Sequence, residues 1–186
     1  GVRRAPARAA ALAALGVEPL ALDLAAEDAA ARLPAFEAVV ACQSASADGE
    51  DPYRAAYVDA NRTLLAAARR CGARAFVYTG STGVFGQRDG SDVDEETPPA
   101  PASAAAAVLV EAERLVAGAA RDGLRAAVVR LSGLYGPGRV GILGRVRTGA
   151  LALGPGDEAW MNFCHLDDAA TFVLAPSRLP RPTASG

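Results

Sequence analysis

Two nearly continuous apolar runs, ARAFVYTGS (73–81) and LRAAVVRLS (124–132), constrain the fold more than any other feature of the chain. A strand with one wet face alternates apolar and polar residues. These runs do not alternate, so each needs cover on both faces, as strands of a parallel sheet do. Helical patterns lie around them. From Pro52 to Cys71, Tyr53, Tyr57, Ala60, Leu64, Ala68 and Cys71 recur at three and four residues. That spacing gives one buried helix face, with proline at its start and Gly72 past its end. Ser103 is a good N-cap for a helix running to about Asp122.

The remaining segments continue the alternation. Ala5 to Leu15 reads as a helix stopped by Gly16, 16–24 as a short strand, and 25–33 as a short helix halted before Pro34. FEAVVACQS (36–44) reads as a β-branched strand. GLYGPGR (133–139) reads as a loop, 140–150 as a short helix, WMNFCHL (160–166) as extended, and Asp168 to Ala175 as a last helix capped by Asp167 or Asp168. Strands alternating with helices predict an α/β fold: a parallel sheet with helices on both faces and right-handed crossovers. Ligands of such sheets bind at the carboxyl ends of the strands, here Cys42–Ser46, Thr79–Gly86 and Ser132–Arg139.

Composition removes several chemistries. The 186 residues include 19 arginines, no lysine, and a single histidine, His165. No lysine Schiff base, P-loop lysine or Tyr-Lys pair can be built, nor a metal site needing two histidines. A formal charge of −2 with scattered arginines gives no footprint for nucleic acid. Apolar stretches are broken within about 18 residues, too short to span a bilayer. GVRRAPARAAALAALG (1–16) reads as an amphipathic first helix rather than a signal peptide, because arginine recurs at Arg8. Cys42, Cys71 and Cys164 lie far apart without CxxC spacing, which points to buried thiols in a reducing compartment and a cytoplasmic setting. The tail 176–186 has no core-forming pattern and is expected to be disordered.

The motif that most invites a phosphate-binding reading is GSTGVFG (80–86), glycines at three-residue spacing after a strand. A dinucleotide loop needs a helix next, so that amides and dipole meet the pyrophosphate. The residues that follow, QRDGSDVDEETPPAP, are acidic and proline-rich. A strand-end turn displaying Ser81 and Thr82 is the better reading. A serine hydrolase built on Ser81 lacks the GxSxG elbow. Cys164 and His165 are adjacent, so on an extended segment they point to opposite faces and cannot form a dyad. His165 reads as a packed or capping residue, and the acidic run 89–96 as a solvated loop.

Five segments in order, FVYTGSTGVFG, DEETPPAP, VLVEAERLV, LRAAVVRLSGLYGPGR and NFCHLDDAA, resemble the extended short-chain dehydrogenase/reductases, specifically the NAD-dependent epimerase/dehydratase group. The resemblance covers about residues 16–175. It implies a Rossmann-like fold that binds NAD or NADP, with a slight lean to NADP, and acts on a nucleotide sugar or related small substrate. It implies cofactor contacts at Arg3, Arg4, Asp23, Leu24, Ala41, Cys42, Gln43 and Ser132. It places Ser81 at the family's catalytic Ser/Thr, four residues before Phe85, with Thr82, Tyr135 and Arg139 toward the substrate. Asn61 matches a helix asparagine that tends to be structural. A homodimer through helices 52–71 and 103–122 is a further implication.

Two departures qualify the resemblance. Where the family has Tyr-xxx-Lys, this chain has Ala105 and Leu109, so the usual proton carrier is missing and the match is to an atypical branch. The family's first βα unit, with its glycine-rich turn, would precede Val2-Arg3-Arg4. The expected domain is therefore an incomplete NAD(P)-binding Rossmann-like unit over 1–175. Two functions stay open at this point: an atypical epimerase, dehydratase or reductase, and a non-catalytic module that senses a dinucleotide or binds a protein.

Overall fold

The computed structural model describes residues 1–120, 123–151, 154 and 161–178. The two apolar runs become the central strands. β3 (Ala38–Ala41), β4 (Ala75–Ser81) and β5 (Arg125–Leu131) form a parallel sheet in that order. The first four residues of β4 are buried, as its unbroken apolar sequence requires. Phe76 and Tyr78 point to one face, into the main core with Val58, Leu64, Leu65, Val108, Ala112 and Val116. Val77 points to the other and packs with Val129 and Val173.

Those faces are covered by different helices. One carries a continuous helical run made of α3 (Glu50–Tyr53), a π-helical turn (Arg54–Asp59) and α4 (Ala60–Cys71), together with α5 (Ala104–Ala119). The other carries α7 (Leu166–Arg178). Gly72 ends α4 with φ 68°, a conformation open to glycine at little cost. Ser103 caps α5 as expected, its hydroxyl accepting from the Ala106 N–H at 3.1 Å. The architecture is Rossmann-like, with parallel strands and helices on both faces.

A second, two-stranded parallel sheet pairs β1 (Val2–Arg3) with β2 (Leu20–Ala21). Between them lie α1 (Pro6–Ala10) and a 3₁₀ turn (Ala13–Leu15), so the expected helix 5–15 is interrupted at Ala11–Leu12. The segment 25–33 is helical only over α2 (Ala29–Arg32). A third parallel pair joins β6 (Gly133–Tyr135) to β7 (Phe163–His165). β6 corrects the expectation of a loop throughout 133–139: Gly133 lies under the Phe163 ring, where a Cβ would come within 2.8 Å, and this close approach lets the strands pair. α6 (Gly141–Arg147) follows.

Asp167 and Asp168 are not N-caps of the last helix. Both lie in the first turn of α7, where carboxylates favour the positive end of the dipole. The capping acceptor is His165, whose Nδ1 receives the Asp167 N–H at 3.2 Å. α7 runs to Arg178, three residues past the expected end. Of the tail 176–186 expected to be disordered, residues 176–178 instead belong to α7, and 179–186 lie outside the described residues, as do Trp160 and the end of the expected helix at Asp122. The cysteines expected to be buried are not: Cys42 is exposed, and Cys71 and Cys164 are half-buried.

Candidate functional site

The β1–β2 and β3–β4–β5 sheets are separate, and a cleft of about 1010 Å³ opens between them at the carboxyl ends of β1, β2 and β3. Arg3, Arg4 and Arg8 form one wall, Asp23 and Leu24 follow β2, and Cys42, Gln43, Ser44 and Ser46 follow β3. Six of the eight cofactor positions implied by the sequence meet here: Arg3, Arg4, Asp23, Leu24, Cys42 and Gln43. The other two do not line it. Ala41 is buried beneath, at 2% exposure, and Ser132 lies across the sheet. The three arginines are exposed, and no hydrogen bond or ion pair engages their guanidinium groups among the described residues. Sequence reasoning missed Arg8. Its one signal was its place four residues after Arg4, at the end of a short helix that folds back over β1.

The floor of this cleft is built from below. Tyr57, in the π-helical turn, accepts a hydrogen bond from the Ala45 N–H at 3.3 Å. Asn61, fully buried, accepts one from Gln43 Nε2 at 2.9 Å. Burial pushes the Tyr57 phenol above its ordinary pKa, against the lowering effect of the Ala45 N–H, so it stays neutral. Tyr78 lies deeper, its hydroxyl without a partner among the described residues, and burial holds its pKa well above the ordinary phenol range.

A second cleft, about 740 Å³, lies at the ends of β4 and β5. It brings together Thr82 and Ser132 with Phe85, Asp94, Glu95, Arg130, Asn162 and Cys164. Ser81 ends β4 beside it, its Oγ accepting the Gly83 N–H at 3.1 Å and capping the 3₁₀ turn Thr82–Val84. The hydroxyl hydrogen is left to donate elsewhere. The glycine run 80–86 is thus a strand-end turn. Gly86 is needed there because a Cβ would meet the Ala100 carbonyl oxygen at 2.4 Å. Tyr135 and Arg139 do not line either cleft. Tyr135 packs edge-on against Phe163 and His165, and Arg139 bridges Gly136 through the backbone.

Arg130 and Glu113 support this end of the sheet, a role not foreseen from the sequence. Arg130 Nε reaches both carboxylate oxygens of Glu113 at 3.0 and 3.2 Å, and Nη2 reaches Oε2 at 2.9 Å. The guanidinium also lies over the Phe85 ring, 4.9 Å from its centroid. Leu109 is buried with Val84 and Val110 in an apolar cluster, with Tyr53, Tyr57 and Phe85 packed against it. Among the described residues, no group of three or more His, Cys, Asp or Glu could hold a metal ion. No helix among them is long and apolar enough to cross a membrane.

Comparison with known proteins decides the family, because residues 2–183 match the NAD dependent epimerase/dehydratase family. The chain belongs to that family. It is 36% identical over 115 residues to the uncharacterized protein y4nG of Sinorhizobium fredii, a match covering 58% of this chain and 29% of the relative. A solved NAD-dependent epimerase/dehydratase from Methylobacillus flagellatus, itself assigned provisionally, is 28% identical, with TM-score 0.65 over 90% of this chain and 63% of that one. A double mutant of the dTDP-glucose 4,6-dehydratase DesIV from Streptomyces venezuelae, solved with NAD bound, shares the fold at TM-score 0.73. It is 22% identical over 90% of this chain and 58% of its own. The chain spans less than two thirds of the length of each of these proteins.

Proposed function

We propose that this epimerase/dehydratase-family chain forms part of an NAD(P)-linked epimerase, dehydratase or reductase acting on a nucleotide sugar or related small molecule. The observation that carries this reading is the first cleft. Its volume suits a dinucleotide, and it unites a cationic wall, an acidic-apolar pair (Asp23, Leu24) and a neutral polar wall at strand ends. Arg3, Arg4 and Arg8, free of carboxylate partners, suit a 2′-phosphate and favour NADP over NAD. The NAD bound to the Streptomyces dehydratase supports the cofactor class. Its dTDP-glucose substrate supports a nucleotide sugar.

When bound, a nicotinamide supplies the hydride-accepting centre. The chain's own residues orient the substrate: Ser81 offers a hydroxyl hydrogen, while Thr82 and Ser132 line the second cleft beside it. Ala105 and Leu109 supply no phenol or ammonium, so proton transfer falls to a residue other than the Tyr-xxx-Lys pair.

A cofactor titration tests this reading. NADP⁺ binding in the micromolar range, weakened about tenfold by Arg4→Ala while NAD⁺ binding changes little, is the expected result. No binding of either dinucleotide up to millimolar concentration overturns it. The buried apolar setting of Leu109 favours a second reading, a dinucleotide-sensing or protein-binding module without turnover. Turnover of a nucleotide sugar that disappears in Ser81→Ala would eliminate that alternative.

A further inference from the structure

The last helix begins on the chain's single histidine. Leu166 is the first residue of α7, and His165 stands before it in the N-cap position. N-caps are ordinarily serine, threonine, aspartate or asparagine, whose side-chain oxygens go on accepting near neutral pH. Here the acceptor is the imidazole Nδ1, which takes the Asp167 N–H at 3.2 Å. The first N–H groups of a helix have no partner within it, so this amide depends on the cap. Nδ1 accepts only while it carries no proton. The cap therefore exists in the neutral imidazole with its hydrogen on Nε2 and in no other form.

The ring is boxed in. Tyr135 of β6 packs against it edge-on, with centroids 5.2 Å apart. Gly136 lies close to its other nitrogen, where a Cβ would come within 3.2 Å of Nε2. Protonation sets a new N–H against the Asp167 N–H, and the first turn of α7 bears the change rather than the ring. The titratable and charged groups around the imidazole are Asp167 and Asp168 on α7, Tyr135 on β6, the Cys164 thiol on β7, which donates to the His165 carbonyl, and Arg139, which bridges Gly136 through its backbone. Asp167 offers the replacement contact, its Oδ2 3.7 Å from Nδ1. That carboxylate is 86% exposed and so a weak, screened partner. The positive end of the helix dipole also opposes a cation at this point. The cap contributes more than the ion pair that replaces it.

The second cleft shares this junction. Asn162 and Cys164 line it from the chain before His165, and Ala169 and Phe172 line it from α7 just after. We propose that His165 is a pH-sensitive clasp on the second cleft. Neutral, it caps α7 and fixes the wall that β7 and α7 form. Protonated, it releases the Asp167 N–H, pairs with the Asp167 carboxylate and loosens that wall. The device goes beyond the proposed function and does not rest on which cofactor or substrate the protein takes.

The test is NMR of the wild-type protein, His165→Asn and His165→Leu across about pH 5 to 8, the interval in which histidine alone among unperturbed side chains changes charge. With one histidine in the sequence, the ring signals need no sorting. In the wild type, the Asp167 amide is expected to titrate in step with the His165 ring, and the amides of Asn162, Ala169 and Phe172 with it. Hydrogen-exchange protection at Asp167 is expected to fall about fivefold on the acid side. Asparagine is a good N-cap that does not titrate, so His165→Asn should keep its protection throughout. His165→Leu should show the acid behaviour at every pH. If His165→Leu fails to fold, the wild type and His165→Asn carry the comparison. An Asp167 amide that ignores the ring's titration, a neutral ring with its hydrogen on Nδ1, or the same transition surviving in His165→Asn overturns the clasp. Movement at Asp167 with none at Asn162, Ala169 or Phe172 overturns its link to the cleft.

Discussion

Arg130 on β5 closes on Glu113 of α5 through three short hydrogen bonds, and the Glu113 carboxylate lies against Gly80, the residue before Ser81. A Cβ at Gly80 would sit 3.0 Å from Glu113 Oε1. One ion pair therefore links a helix, two strands and the turn that displays Ser81. The neighbouring carboxylate also holds the Arg130 guanidinium's pKa above its ordinary value, mainly through the hydrogen bonds.

Breaking that pair from one side should be far worse than removing both partners. Arg130→Met strands a carboxylate whose side chain is only 7% exposed and is expected to cost about 3 kcal/mol. The double variant Arg130→Met, Glu113→Leu should recover most of the loss. Urea unfolding of the three proteins checks this, and equal losses in the single and double variants would count against it.

Two glycines should respond in opposite directions to the same change. Gly86→Ala forces a Cβ to within 2.4 Å of the Ala100 carbonyl, which is backbone, and is expected to destabilise by about 1–3 kcal/mol. Gly118→Ala, inside α5 with nothing within 4 Å, should stabilise by about 0.5–1 kcal/mol. The melting temperatures should move down and up respectively.

Leu109→Lys, which puts an ammonium into an apolar cluster, should not be accepted passively. The position is 9% exposed and faces Val84 and Val110, so an ammonium loses solvation there. Its folded-state pKa falls below the unfolded value, and the unfolded chain binds more protons between the two. The loss of stability should be complete below the lowered folded-state pKa and shrink as the pH rises toward about 10. Chemical denaturation across that range reads the slope. A flat difference from wild type would show that the site hydrates.

Asp94 anchors the acidic loop beside the second cleft. Its Oδ1 accepts from the Thr97 hydroxyl at 2.7 Å and from the Thr97 N–H at 2.8 Å, and these bonds lower its pKa, the hydroxyl most. A lowered carboxylate pKa contributes order that is complete above the ordinary value of about 3.9 and lost as pH falls through the lower folded value. The Thr97 amide resonance should therefore titrate below pH 4, and this transition should vanish in Asp94→Asn.

The strand cores were legible because the sheet's demand is written locally. ARAFVYTGS has no polar alternation, and β4 is covered on both faces as that pattern requires. The Ser103 cap and the Gly72 stop were equally local, each depending on one residue's own chemistry. Less legible were the short elements. β6 was hidden in a glycine-proline stretch because its pairing comes from Phe163, about thirty residues away in sequence. The π turn within 52–71 left no trace in the apolar spacing, which continues through it.

The candidate sites divide in the same way. Arg3, Arg4, Asp23, Leu24, Cys42 and Gln43 were named from the family resemblance, Cys42 and Gln43 also by their place at a strand end. Their meeting around one cleft depends on how two separate sheets stand side by side. Arg8, Tyr57 and the Arg130–Glu113 pair were overlooked because their partners are supplied by distant segments. A guanidinium on a strand looks the same in sequence whether it faces water or a buried carboxylate. The sequence by itself determined the parallel α/β layering and the absence of any lysine, since both follow from residue types alone. Only the tertiary structure decided which polar groups are paired, which remain free, and which cleft they face. Those outcomes are set by contacts between residues far apart in the chain, and no local pattern encodes them.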